Sequence, residues 1–333
     1  MSNSPKSTAV GPARPLLMLA GLTAGLGAIL VVLLALFILP SLKSGPHDLP
    51  VGLVGTPEAV ATMTQNLERL VPGGFVVQSF PTAEALNAAV DARTVVGGYV
   101  ASDEGLSALV ASAGSTAISG TLATTAGSLA QAMDIPLQVT DVAPLPAADP
   151  AGIGIGGLTF PLVFGGIVPV VAFKSVFPRS NGWRLAGIGL TAVASGLIVA
   201  AVLQFWFGSI ESAFWPVATA MALGIAGMAM PLAGLQHVLG GKGFTIGAMV
   251  MMFLGNPLAG IATTAAWLPD GLGLFGQLLP PGATGTLVRS AAYFDWAGSG
   301  LAAMTLVAWV AVGVALTGIG IARDRATPLP AAA

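Results

Sequence analysis

"LPVGLVGTPEAVATMTQNLERL" (49–70) reads as a strand that runs straight into a helix. "LPVGLVG" (49–55) is a short apolar run, and Thr56-Pro57 places a capping residue before the proline favoured at the first helical position. The helix repeats Val60, Met63, Leu67 and Leu70 on one face, the spacing of a stripe that faces a core. The residues that follow supply more units of this kind. "FVVQSF" (75–80) is a second strand, and Thr82 caps a second helix bearing Leu86, Ala89 and Val90. "VVGGYVA" (95–101) and "LSALVAS" (106–112) read as strands, a helix over 116–133 carries Ile118, Leu122, Leu129 and Met133, and "PLQVTDV" (136–142) is a last strand. Strands alternating with amphipathic helices predict an α/β layer domain over 41–150, long enough for its own core. "APLPAADPAG" (143–152) is its proline-rich exit.

The sequence on either side is of another kind. Of 333 residues, 55% are hydrophobic and only 8% charged, with a mean hydropathy of +0.87. A soluble chain carries roughly 25% charged residues, so most of this one belongs in a bilayer. A spanning helix needs about 20 mostly apolar residues, and six stretches qualify: 16–39, 153–173, 185–207, 215–236, 244–267 and 301–322. None has a charge in its apolar interior. The first is too long, and too bare of an A-x-A site, for a cleaved signal peptide, and reads as an uncleaved anchor over 16–40. The expected fold class is therefore a polytopic α-helical membrane protein of six transmembrane helices, with an exported α/β domain between helices 1 and 2 and a five-helix membrane domain over 151–322.

Orientation follows from the basic residues, which resist export. With the N-terminus inside, the cytoplasmic segments (1–15, the loops, and 323–333) hold Lys6, Arg14, Lys174, Arg179, Arg184, Lys242, Arg323 and Arg325 against one acid, Asp324. Lys43, Arg69, Arg93 and Arg289 fall outside with all the other acids. The expectation is a multi-pass protein of a bacterial inner membrane with both termini cytoplasmic. Abundant Ala, Gly and Val, and Arg in excess of Lys, fit a GC-rich bacterial genome.

Several motifs reduce to structure. "GIGIGG" (152–157) matches G-x-G-x-x-G by letter, but a proline-rich hinge precedes it and Phe173-Lys174 stands where an acid is needed. Glycines that open a membrane helix for close packing explain it better. "GGKG" (240–243) lacks the upstream glycine and the following hydroxyl of a phosphate loop, which leaves Lys242 as a loop anchor. "GLTAG" (21–25) permits close helix contact. His47 and His237 lie far apart, no cysteine exists, and no Ser/His/Asp constellation forms. The chain is thus expected to be no enzyme, with no metal, no cofactor and no nucleic acid. Spans without Asp, Glu or His also disfavour proton antiport. Gln204, Gln236 and Asn256 are the polar side chains to consider as path or bridge, and Glu211 sits in the short loop "GSIESAF" (208–214).

The layout of one span, an α/β domain opening with "DLPVGLVG" (48–55), then five spans, resembles that of ABC-2-type membrane proteins. It is most similar to the YhgE/Pip (phage infection protein) branch and related short permeases. The words that carry the likeness are "DLPVGLVG", "VVGGYVAS" (95–102), "VAPLPAADPAG" (142–152) and "LPPGATGTLVRSAAYF" (279–294). The resemblance implies a broken, partly re-entrant outer hairpin over about 268–298, with Pro280 and Pro281 breaking the helix and Gly282 and Gly285 turning it. Arg289 would then lie at the outer interface, free to snorkel or to pair with Asp295, Asp270 or Glu211. It would serve either as the hairpin's anchor or as a contact for an anionic substrate or lipid head group. The loop "KSVFPRSNGWR" (174–184) is short for docking an ATPase.

Two functions follow. One is a permease-like subunit, a homodimer in the lipid bilayer, that exports a lipidic or amphipathic compound with a separate nucleotide-binding ATPase. The other is a non-transporting envelope scaffold or receptor that binds a partner through the exported domain.

Overall fold

The computed structural model describes residues 13–326; Lys6 and the tail beyond 326 lie outside the described residues. The first helix, α1 (Ala13–Lys43), is apolar on all sides. Its side chains stay exposed along most of its length, Leu26 at 58% and Val31 at 64%, as expected of a helix solvated by lipid. Near its end Phe37 meets Phe253 edge-on, with centroids 6.4 Å apart.

The α/β unit comprises β1 (Leu49–Val54), α2 (Pro57–Leu70), β2 (Phe75–Ser79), α3 (Ala83–Asp91), β3 (Gly98–Ser102), β4 (Gly105–Val110), α4 (Thr116–Met133) and β5 (Leu137–Asp141). The helix starts have a common cause. Thr56, Thr82 and Ser115 each accept a hydrogen bond from the amide three residues on, which satisfies one of the orphan donors of a helix N-terminus. The strands form one sheet in the order β2-β1-β3-β4-β5. All neighbours run parallel except the β3–β4 hairpin. One face packs Val51, Leu53, Tyr99 and Ala108 on Met63, Leu67, Leu122 and Leu129 of α2 and α4. The other packs Val54 on Leu86 and Val90 of α3. β1 is covered on both faces and so reads as a continuous apolar run. The third strand starts at Gly98 rather than at 95, because Val95 is still tied to the end of α3, its N–H reaching Ala89 O at 3.4 Å.

The membrane part follows as α5 (Ile153–Gly156), α6 (Thr159–Val176), α7 (Asn181–Ala201) with a π-turn at Val202–Trp206, α8 (Phe214–Met249) with a π-turn at Val250–Gly255, α9 (Leu272–Gln277), α10 (Pro280–Tyr293) and α11 (Gly300–Ala326). Among the described residues five helical stretches are long and apolar enough to cross a membrane: Pro15–Lys43, Ile153–Val176, Asn181–Trp206, Phe214–Gly255 and Gly300–Arg325. This is a helical multi-pass membrane protein.

The expected fourth and fifth spans run together as α8, which breaks at Gly240 (φ 66°, ψ −153°). Residues 235 and 243 of an unbroken helix would stand about 12 Å apart along its axis. Instead Gly243 lies against Leu235 and Leu239, and Gly247 against Leu232 and Leu235. The chain has folded back on itself, because glycine alone adopts such a backbone readily. The second arm, 241–255, is about 22 Å long, short of the ~30 Å apolar core of a bilayer. From Asn256 the chain unwinds, with only a 3-10 turn at Ala265–Trp267, so the helix expected to reach 267 ends early. The first arm of α8 is the core of the bundle. Met221, Ile225 and Met228 are wholly buried there. Gly313 of α11 comes so close that a Cβ would stand 2.3 Å from the Met230 carbonyl carbon.

Candidate functional site

The "LPPGATGTLVRSAAYF" stretch forms one buried helix. Leu279 is extended, and Pro280 and Pro281 occupy the first helical positions of α10, where a missing N–H costs nothing. The prolines therefore open a helix rather than break one. Gly282 and Gly285 do not turn the chain either; both lie within α10, against Gly276 and Ile261. Nearly every residue from Pro280 to Ala291 is buried.

Arg289 is 7% exposed, enclosed by protein rather than free to snorkel. Its Nη2 donates to Ile261 O at 2.7 Å and its Nη1 to Thr263 O at 2.8 Å. Gln277 Nε2 donates to Ala259 O at 3.3 Å, and Gln277 Oε1 accepts from Thr286 Oγ1 at 2.7 Å. Three alternate carbonyls of the unwound stretch are thereby satisfied, as irregular backbone in a bilayer requires. Among the described residues Arg289 forms no ion pair with Asp270, Asp295 or Glu211. Asp270 stands 3.4 Å from His47 Nε2 instead. Asp295 is exposed in a left-handed turn (φ 43°) and Glu211 is exposed in its loop. The pairing fails because Arg289 points into the fold and the acids stay in solvent. Gln204 lies in the α7 π-turn with its Oε1 buried and unbonded. Asn256 lines a separate small cavity with Ser41, Ser44 and Thr159. The candidates named from sequence do not converge on one site.

Two other groups do converge around α10. Arg93, just after α3, donates from Nη1 to Ser290 Oγ and stacks its guanidinium 4.9 Å from the centre of the Phe294 ring. On another side Tyr293 Oη donates to Ser209 O at 2.7 Å. Ser209 is 1% exposed, and its hydroxyl lies beside the Asp149 carboxyl. Beside it Asp149, 8% exposed, closes the proline-rich hinge. Asp149 Oδ1 accepts from Ile153 N and Oδ2 from Gly154 N, both at 2.8 Å, which caps the start of the second span. Gly154 is obligatory here, since a Cβ would stand 2.0 Å from Ser209 Oγ and 3.0 Å from Asp149 Oδ2. Burial alone would raise the Asp149 carboxyl. The amides of Gly154, Ile153 and Gly152 and the adjacent Ser209 hydroxyl outweigh it and hold the group below the usual carboxylate range.

Asp149 and Ser209 stand at the head of a groove of about 610 Å³ between α6 and α7. Its walls are Ile153, Leu158, Pro161, Ile198, Leu203 and Phe207. Ile153, Ile198 and Phe207 also reach the outer surface, at 72%, 62% and 50% exposure, so the groove opens sideways, where lipid covers a spanning helix. A cavity of this size, apolar with a few placed polar groups, has the character of a small-molecule site. Sequence reasoning passed over Asp149, Ser209 and Arg93. The one signal was Asp149 itself, an acid at the end of the hinge where a helix begins. Among the described residues no group of three or more His, Asp or Glu is placed to hold a metal ion. No protein-family model, curated protein or solved structure matches the chain.

Proposed function

We propose that this membrane protein is a permease-like subunit of ABC-2 layout, acting as a homodimer on a lipidic or amphipathic compound with a separate nucleotide-binding ATPase. Both termini lie in the cytoplasm of a bacterial cell, the second arm of α8 counts as a shortened fifth crossing to make six, and the α/β unit is outside. The observation that carries the reading is the sideways-open apolar groove of about 610 Å³ with one polar end. An amphipathic molecule has that same division, a chain for the apolar walls and a head for Asp149 and Ser209. The buried hairpin of α9 and α10 supports it too, since non-helical backbone at this depth is tolerated only inside protein or beside a cavity. The test is loss of export of a fluorescent amphiphile from cells carrying Ile198→Trp, which fills the groove from an exposed position. Unchanged export by a protein present at normal level would refute the reading.

A second reading has its own observation. β5 is a sheet edge whose Leu137 and Val139 are 37% and 46% exposed, and an open edge is a template for an added strand. A scaffold or receptor would bind its partner there. Co-purification of a nucleotide-binding protein from native membranes favours the permease; capture of a partner lost with Val139→Lys favours the receptor.

A further inference from the structure

Arg93 carries a positive charge into the seam between the α/β unit and the membrane part. A guanidinium has five N–H donors. Among the described residues only one of Arg93's has an acceptor, the Ser290 hydroxyl met by Nη1. The Phe294 ring lies against the same group but offers no lone pair. Among the described residues no Asp or Glu forms an ion pair with Arg93. Burial lowers its guanidinium from the ordinary arginine value, with no carboxylate to offset the effect. Arg289 is close enough for the two positive charges to repel.

Arg93 also lines a cavity of about 230 Å³ in this seam. The walls are mostly apolar, with Pro50, Val95 and Ile118 from the α/β unit and Phe294 from beyond α10. Ser115 and Thr264 add hydroxyls, and the start of α4, a positive helix end, forms one wall. None of the lining residues is an acid. One water needs only ~10–15 Å³ of space, so an organic molecule fits. Drug-sized sites run to ~300–1,000 Å³, so that molecule is small.

We propose that this cavity binds a small monocarboxylate with an apolar body, the carboxylate on the free donors of Arg93 and the body against Val95, Ile118 and Phe294. A carboxylate supplies paired acceptors that match the planar fork. A neutral molecule leaves the guanidinium uncompensated. Inorganic phosphate brings more charge than one arginine balances and buries it against apolar walls. The ligand bridges the α/β unit and the end of α10, where Tyr293 holds Ser209. The site goes beyond the permease reading and stands without it, because binding is measured directly.

The test uses the full chain in nanodiscs of a neutral lipid, titrated calorimetrically at neutral pH with benzoate, benzyl alcohol and inorganic phosphate. The wild type should bind benzoate about tenfold or more tighter than the alcohol, and phosphate no better than the alcohol. Its melting temperature should rise with benzoate concentration, as binding to the folded state requires. Arg93→Gln should erase the preference for benzoate. Ala266→Phe fills the cavity from an exposed position and should abolish binding of both organic probes. Should Arg93→Gln fail to fold, the wild-type ranking and Ala266→Phe still decide. Equal binding of benzoate and the alcohol would overturn the anionic assignment. Phosphate binding tighter than benzoate would make this a site for inorganic anions and overturn the monocarboxylate. Benzoate binding unchanged in Ala266→Phe would remove it from this cavity, and no benzoate binding would overturn the site outright.

Discussion

Arg93 and Ser290, separated by 197 positions in the chain, meet in a hydrogen bond that joins the α/β unit to the buried helix α10. The guanidinium also lies on the Phe294 ring, so a single side chain clamps the end of α10 by charge and by stacking. On the other side of the same helix end, Tyr293 holds Ser209. The position of the α/β unit is thus coupled to the head of the groove through two adjacent turns of α10.

Removing the clamp should loosen the seam. Arg93→Ala is expected to cost about 1.5–3 kcal/mol, the range for a hydrogen bond to a charged group. Arg93→Lys should recover only part, since an ammonium cannot both stack flat and reach Ser290. Thermal melting of the purified protein reads the ranking, and a lysine variant as stable as wild type would show that stacking contributes nothing.

Arg289 gives a sharper contrast. Its two η nitrogens each satisfy one buried carbonyl, a fork that lysine cannot copy. Arg289→Ala leaves both carbonyls unsatisfied, at about 1–3 kcal/mol for each. Arg289→Lys should fall between alanine and wild type in melting temperature. Full stability of the lysine variant would mean that charge alone anchors the hairpin.

Gly240 tests the break in α8. With φ 66° and ψ −153°, any side chain there is strained by about 1–3 kcal/mol, although nothing stands within 4 Å of a Cβ. Gly240→Ala should therefore destabilise through the backbone alone. Gly241→Ala, equally open in space, is the control and should melt like wild type.

Asp149 makes stability depend on acid. A carboxyl held below its unfolded value stabilises the fold fully above that value, near pH 4. The contribution is lost as pH falls through the lower folded value. Wild-type melting temperature should drop below about pH 4 more steeply than that of Asp149→Asn, with the two converging at the acid end. Parallel curves would remove Asp149 from the hinge's electrostatics.

Topology is checked with single cysteines, the chain having none of its own. Ser102 and Gly182 are both exposed. In intact cells an impermeant maleimide should label a cysteine at 102 and not one at 182, because basic residues keep the 174–184 loop inside. Labelling at 182 in sealed cells would invert the proposed orientation.

Local sequence determined the elements of the α/β unit and the apolar helices, for a physical reason. Thr56, Thr82 and Ser115 act on amides three residues away, and apolar length is counted along the chain, so both are written in neighbouring letters. The expected run of helix to 267 failed where the chain unwinds from Asn256. The hydropathy of that stretch is the same whether or not it is helical. Arg289 looked like an interface charge because its partners, the carbonyls of residues 261 and 263, are backbone atoms with no signature in side-chain identity. Asp149, Ser209 and Tyr293 come from three separate segments, and nothing in any one of them announces the others. Their meeting belongs to the tertiary structure alone, because charge compensation is settled by which groups lie near in space and not by which are near in sequence.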